Sequence, residues 1–147
     1  MSSYNYLPVL ISLFLLLSIT SAHTQKEKPV SWTFEVQKLS ESEIELTAIA
    51  TMKPSWVIYS QFTEDDGPIP TGFYFDNKTV KFEELSKAIT EFDDMFGVNV
   101  TKFKDKAIFK TKFTDLKGSS VKGYVTYMTC DGAKCLPPAD VEIIVKW

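Results

Sequence analysis

Cys130 and Cys135 are the residues of this 147-residue chain whose type and spacing point most directly to chemistry. A thiolate is a nucleophile and a metal ligand, and two thiols form a disulfide. The rest of the composition narrows the alternatives. The single histidine is His23, near the N-terminus, which argues against a Ser/His/Asp triad, a Cys/His dyad or a His-rich metal site. All 16 basic residues are Lys, so bidentate recognition of carboxylate or phosphate by Arg is excluded. With 19 acidic residues and a net charge of -3, the chain has no global attraction for nucleic acid or an anionic membrane. A carboxylate hydrolase would draw on Asp65, Asp66, Asp93 and Asp94, but these read as solvated turn residues that nothing orients as a pair.

The cysteines lie in the run Tyr127-Met128-Thr129-Cys130-Asp131-Gly132-Ala133-Lys134-Cys135-Leu136-Pro137-Pro138. Four residues separate them, so this is not the two-residue spacing of thioredoxin-type motifs, and one pair does not make a zinc site. Cys130 is expected to end a strand, Asp131-Gly132 to turn the chain, and Cys135 to begin the return, bringing the sulfurs within bonding distance. Two readings follow. A structural bridge would staple the turn, worth about 2 kcal/mol for so short a loop. A functional pair would cycle between dithiol and disulfide. Asp131 beside Cys130 should raise that thiol's pKa, and Lys134 beside Cys135 should lower its neighbour's. Cys135 is then the better nucleophile and Cys130 the better resolving thiol.

The elements that must position this pair are strands. Residues 1–22 carry no charge and contain an apolar run followed by Thr20-Ser21-Ala22, the pattern of a secretory signal peptide cut after Ala22. Residues 23–29 form a short linker, and residues 30–147 the domain. Export implies a periplasmic or secreted location, where paired cysteines are oxidised. Val30, Trp32, Phe34 and Val36 alternate with polar residues, as do Ile44, Leu46, Ala48, Ala50 and Met52, the period of half-buried strands. Further strands are expected at 56–62, 72–76, 106–113, 121–130 and 140–147, separated by Pro-, Gly- and Asp-rich turns. The pattern predicts an all-β, immunoglobulin-like antiparallel β-sandwich. Residues 82–92 are ambiguous, with helical spacing of Phe82, Leu85, Ile89 and Phe92 inside a run of strands.

The segment from Tyr127 to Pro138 resembles the periplasmic N-terminal domain of the thiol:disulfide interchange protein DsbD, also called a disulfide bond corrector domain. Trp56-Val57-Ile58-Tyr59-Ser60-Gln61, Gly67-Pro68-Ile69-Pro70-Thr71 and Asp93-Asp94-Met95-Phe96-Gly97 fit the same family in order and spacing. The resemblance covers residues 30–147. It implies an immunoglobulin-like sandwich with residues 82–92 extended. It further implies that the pair relays electrons, with Cys135 forming mixed disulfides and Cys130 resolving them. Asp94, Met95, Phe96 and Gly97 match a cap loop that shields the pair; an aromatic covers the sulfurs in the family, and here Met95 stands at that place with Phe96 beside it, leaving either as the cover. Tyr59 and Tyr127 are candidates for the aromatic wall behind the sulfurs, though core packing accounts for each more simply. The implied partners are thioredoxin-like proteins and a membrane electron carrier, through transient mixed disulfides. No cofactor, metal, nucleic acid or small-molecule substrate is expected. The cysteine spacing is one residue shorter than in the best-known members, and the expected chain is a stand-alone domain recharged by separate proteins. The alternative is a non-catalytic immunoglobulin-like binding module with a structural disulfide.

Overall fold

A computed structural model describes residues 28–64 and 66–147. The expected signal peptide, most of the linker and Asp65 lie outside the described residues. The described chain contains eleven strands: β1 (Val30–Lys38), β2 (Ile44–Met52), β3 (Val57–Tyr59), β4 (Gly72–Phe75), β5 (Lys78–Val80), β6 (Glu83–Glu84), β7 (Ile89–Asp93), β8 (Val98–Lys104), β9 (Lys106–Phe113), β10 (Ser120–Cys130) and β11 (Cys135–Lys146). They form an immunoglobulin-like sandwich of two antiparallel sheets. The smaller has the order β1-β2-β9-β6. The larger runs β5-β4-β10-β3-β8-β7, with β11 on the other side of β10.

The alternation in β1 and β2 is used as the pleat demands. Ile44, Leu46, Ala48 and Ala50 are fully buried in the sandwich with Phe109 of β9. From the larger sheet come Phe73, Ile58, Phe103, Val125 and Ile143, all within 1% of complete burial. Burial of such side chains contributes roughly 1.5–3 kcal/mol each, before the entropy of ordering them. Trp32 is the aromatic centre, with its ring centroid 5.8 Å from Phe109, 6.0 Å from Phe73 and 5.6 Å from Tyr127.

The ambiguous stretch 82–92 is extended, as the resemblance implies: Glu83–Glu84 pair with β9 and Ile89–Asp93 pair with β8. Two strand boundaries differ from the sequence pattern. The third strand ends at Tyr59, because Ser60 and Gln61 turn away to bind Glu84. The last strand begins at Cys135 and includes Pro137-Pro138, tolerated because β11 is an edge strand and the register shifts between Tyr127 and Thr129. Two strands had no sequence expectation. The β4–β5 hairpin turns on Asp76 and Asn77, both with positive φ (49° and 59°), and β8 supplies the partner of β7.

A polar bracket at the end of β3 ties the sheets together. The Glu84 carboxylate accepts hydrogen bonds from Ser60 Oγ (2.9 Å) and from the Gln61 backbone N–H (2.8 Å). The buried Gln61 amide donates to the Phe82 carbonyl (2.9 Å) and accepts from the Phe82 N–H (3.1 Å), mimicking a strand partner. A Gln61→Ala variant leaves both backbone groups of Phe82 without that partner. We expect a loss of about 2–6 kcal/mol in urea unfolding, at roughly 1–3 kcal/mol per unsatisfied group.

Candidate functional site

Strand β10 carries the site because successive residues face opposite sides of its sheet. Val125 and Tyr127 belong to the sandwich core. Cys130 points the other way. On the outer face it joins a separate apolar cluster with Val57, Tyr59 and Val100, flanked by Phe96, Val98, Met128 and Cys135. Thr129 locks the strand end to β3, its hydroxyl donating to the Val57 carbonyl at 2.7 Å.

The turn after Cys130 is closed by its own polar groups. The Asp131 N–H donates to the Lys134 carbonyl at 3.0 Å. The Asp131 carboxylate accepts from the backbone N–H groups of Ala133 and Lys134, both at 2.9 Å. These amides hold the carboxyl below its usual pKa, with a smaller contribution from the Lys134 charge. Gly132 takes φ +88°, a conformation that side chains disfavour. Cys135 is thereby placed directly opposite Cys130, with Cα atoms 4.1 Å apart, and the two are joined in a disulfide. Cys130 is 3% exposed, whereas Cys135 is only partly buried. The Asp131 carboxylate is thus engaged in the turn, and the Lys134 ammonium lies 5.7 Å from the centre of the Trp56 ring.

The β7–β8 hairpin reaches over the bridge. Its turn spans residues 94–97 and is held by Asp93, whose carboxylate accepts from the Met95 N–H (3.0 Å) and whose carbonyl accepts from the Gly97 N–H (2.7 Å). Gly97 adopts φ +73°. Lys102 steadies the base of the hairpin, 2.9 Å from Glu91 and 3.5 Å from Asp93. Phe96 packs edge-on against Tyr59, centroids 6.1 Å apart. Met95 places its Sδ 3.3 Å from Cys135 Sγ. A bridged cysteine has no proton to donate, so this is a sulfur–sulfur contact.

The sequence-derived residues therefore divide. Cys130, Cys135, Met95, Phe96 and Tyr59 come together. Asp94 and Gly97 shape the turn. Tyr127 lies in the sandwich core against Trp32, while Tyr59 stands in the sulfur cluster. Asp93, one of the acids considered for hydrolysis, is committed to the hairpin turn and Lys102. Sequence reasoning missed Met128, Val98 and Val100, whose role depends on which face of the sheet they occupy.

No family model matches the sequence, and no curated protein sequence matches it. Solved structures do match. The N-terminal periplasmic domain of ScsB from Proteus mirabilis superposes with a TM-score of 0.66 at 12% identity, over 82% of this chain and 47% of that one. The Neisseria meningitidis DsbD N-terminal domain, in its reduced form, superposes with a TM-score of 0.53 at 17% identity. That match covers 79% of this chain and 85% of the other. The chain has the DsbD N-terminal domain fold. It spans about half the length of the ScsB chain, and at these identities the likeness is one of fold.

Within this DsbD-like fold, Tyr59 is the titrating group most changed by the site. Burial, with a smaller contribution from the Asp93 charge, pushes its phenol up to about 12. A raised folded pKa favours the protonated native state. This contribution to stability is complete below the unfolded value of about 10 and is lost as pH rises through 12. Spectrophotometric titration should show a late phenolate step in the native protein that Tyr59→Phe lacks. In urea unfolding, Tyr59→Phe should lose less stability than the parent between pH 10 and 12.

Proposed function

We propose that this chain is an exported thiol–disulfide exchange module that relays reducing equivalents between protein partners through Cys130 and Cys135. One observation carries the reading: the bridge lies outside the sandwich core, with Cys130 buried at 3% exposure and Cys135 reachable beneath a half-exposed Met95. A bridge needed only for stability has little to add in a turn that Asp131 already closes.

In the dithiol state, the Cys135 thiolate attacks a partner disulfide. A mixed disulfide forms, and one partner sulfur leaves as thiolate. Cys130 then attacks Cys135 Sγ, closing the intramolecular bridge and releasing the second partner thiolate. Two electrons pass to the partner, and a dithiol donor returns them by the reverse sequence. The partners that suit this chemistry are thioredoxin-like proteins, with a membrane electron carrier as donor in the periplasm. Residues 94–97 act as the cap in this scheme. Met95 covers the attackable sulfur, and Phe96 seats the hairpin on Tyr59.

Equilibration in glutathione buffers followed by alkylation of free thiols measures the potential of the pair. We expect reduction above about -300 mV; a bridge intact well below that value is a structural staple. A Cys130→Ser chain mixed with an exported-protein extract should accumulate a mixed disulfide through Cys135 with a thioredoxin-like protein. If nothing is captured, and Cys130→Ser/Cys135→Ser binds partners as the parent does, the chain is a binding module. Shortening the cover should also quicken exchange. Met95→Ala is expected to be reduced by dithiothreitol about tenfold faster, equivalent to about 1.4 kcal/mol of barrier.

A further inference from the structure

Met95 is chemically unusual as a cover. Among the described methionines, Met52 is 5% exposed and Met128 partly buried, whereas Met95 is 48% exposed. A methionine so exposed is open to oxidation by peroxides or hypohalous acids, which convert its thioether to a sulfoxide. Its sulfur also lies 3.3 Å from Cys135 Sγ. That separation falls within the roughly 3–3.5 Å of a near-attack arrangement. The second thiol needed to complete a two-electron reduction, Cys130, is directly opposite Cys135.

We propose that the reduced pair repairs its own cap: Cys130 and Cys135 reduce Met95 sulfoxide back to methionine within the same chain. The activity goes beyond partner exchange, because its substrate is a sulfoxide and its product is water. Cys135 sulfur bonds to the Met95 sulfur, and the sulfoxide oxygen takes the two thiol protons and leaves as water. The Cys130 thiolate then attacks Cys135 Sγ. The bond between Cys135 and Met95 breaks with its electron pair returning to the thioether, and the Cys130–Cys135 bridge forms. Two electrons leave the dithiol and two enter the sulfoxide. The β7–β8 hairpin acts as the substrate clamp. Its Asp93 contacts to the Met95 and Gly97 N–H groups fix the turn that carries the reacting sulfur, so no binding step is needed.

The test uses the full chain in its bridged form, in which the cysteines are protected. Hydrogen peroxide converts Met95 to the sulfoxide, identified by mass on the peptide that contains it. After peroxide is removed, dithiothreitol opens the bridge and the oxygen on Met95 is followed with time. N-acetyl-methionine sulfoxide amide is present in the same tube as an internal reference. We expect first-order loss of the Met95 oxygen, independent of protein concentration and at least about tenfold faster than loss from the reference, as intramolecular reaction requires. Cys135→Ser should retain the sulfoxide. Persistence of Met95 sulfoxide after the bridge has opened, or loss no faster than from the reference, would overturn the proposal. Because the bridge is opened chemically and no partner is present, this outcome is independent of whether the chain relays electrons to other proteins.

Discussion

The pleat of β10 is the constraint on which the site depends. Tyr127 and Cys130 are three residues apart and face opposite sides of the same sheet, one into the sandwich and one out of it. Had Cys130 pointed inward, its bridge would be sealed between two sheets and out of reach of any partner sulfur. The outward orientation leaves it needing a separate cover, and the β7–β8 hairpin supplies one. The protein thus has two apolar clusters with different duties. The larger holds the sheets together; the smaller, around Val57, Tyr59, Val100 and Cys130, beds the disulfide.

The cover and the bed are joined through Asp93 and Tyr59. Asp93 binds the Met95 and Gly97 N–H groups, pairs with Lys102, and adds to the burial that raises the phenol pKa of Tyr59. Tyr59 in turn receives Phe96 edge-on, while its backbone carbonyl accepts the Thr71 hydroxyl at 2.6 Å. The hairpin is therefore seated on a tyrosine whose position is fixed by the core below. Its tip is held mainly by short-range hydrogen bonds within residues 93–97 and by the contact of Met95 with Cys135. Exposed backbone hydrogen bonds and few buried contacts are the marks of a segment that opens at low cost.

The sandwich was legible in the sequence wherever one face of a strand is solvated. The alternation of β1 and β2, and the turn at Cys130–Cys135, follow from residue order alone. Legibility failed where a tertiary partner decides. Phe82, Leu85, Ile89 and Phe92 have helical spacing, yet strand pairing with β9 and β8 overrides it. The end of β3 is set by Glu84, which is 24 residues from Ser60 in sequence. Tyr59 and Tyr127 look alike as aromatics on strands, and only the sidedness of the sheet separates them. The shape of the cap turn could be anticipated from Asp93 and Gly97, but the choice of Met95 over Phe96 as the residue that meets sulfur needed coordinates.

The pairing of β10 with β11 joins the bridge to the sandwich through an irregular register. Cys130 and Cys135 are register partners, so the residues between them form the loop of a hairpin and do not enter the sheet. A one-residue slip of β11 against β10 would turn its core residues outward, unless a compensating irregularity lies along the ladder. The register shift between Tyr127 and Thr129, opposite Pro137-Pro138, is such an irregularity. Beyond it the pairing of β10 with β11 continues regularly to Lys146, keeping Ile143 and Val145 in the core. The sulfur-bearing turn is thereby uncoupled from the sandwich. Leu136 packs toward the core while Cys135 joins the outer cluster beneath the β7–β8 hairpin, so adjacent residues belong to different clusters.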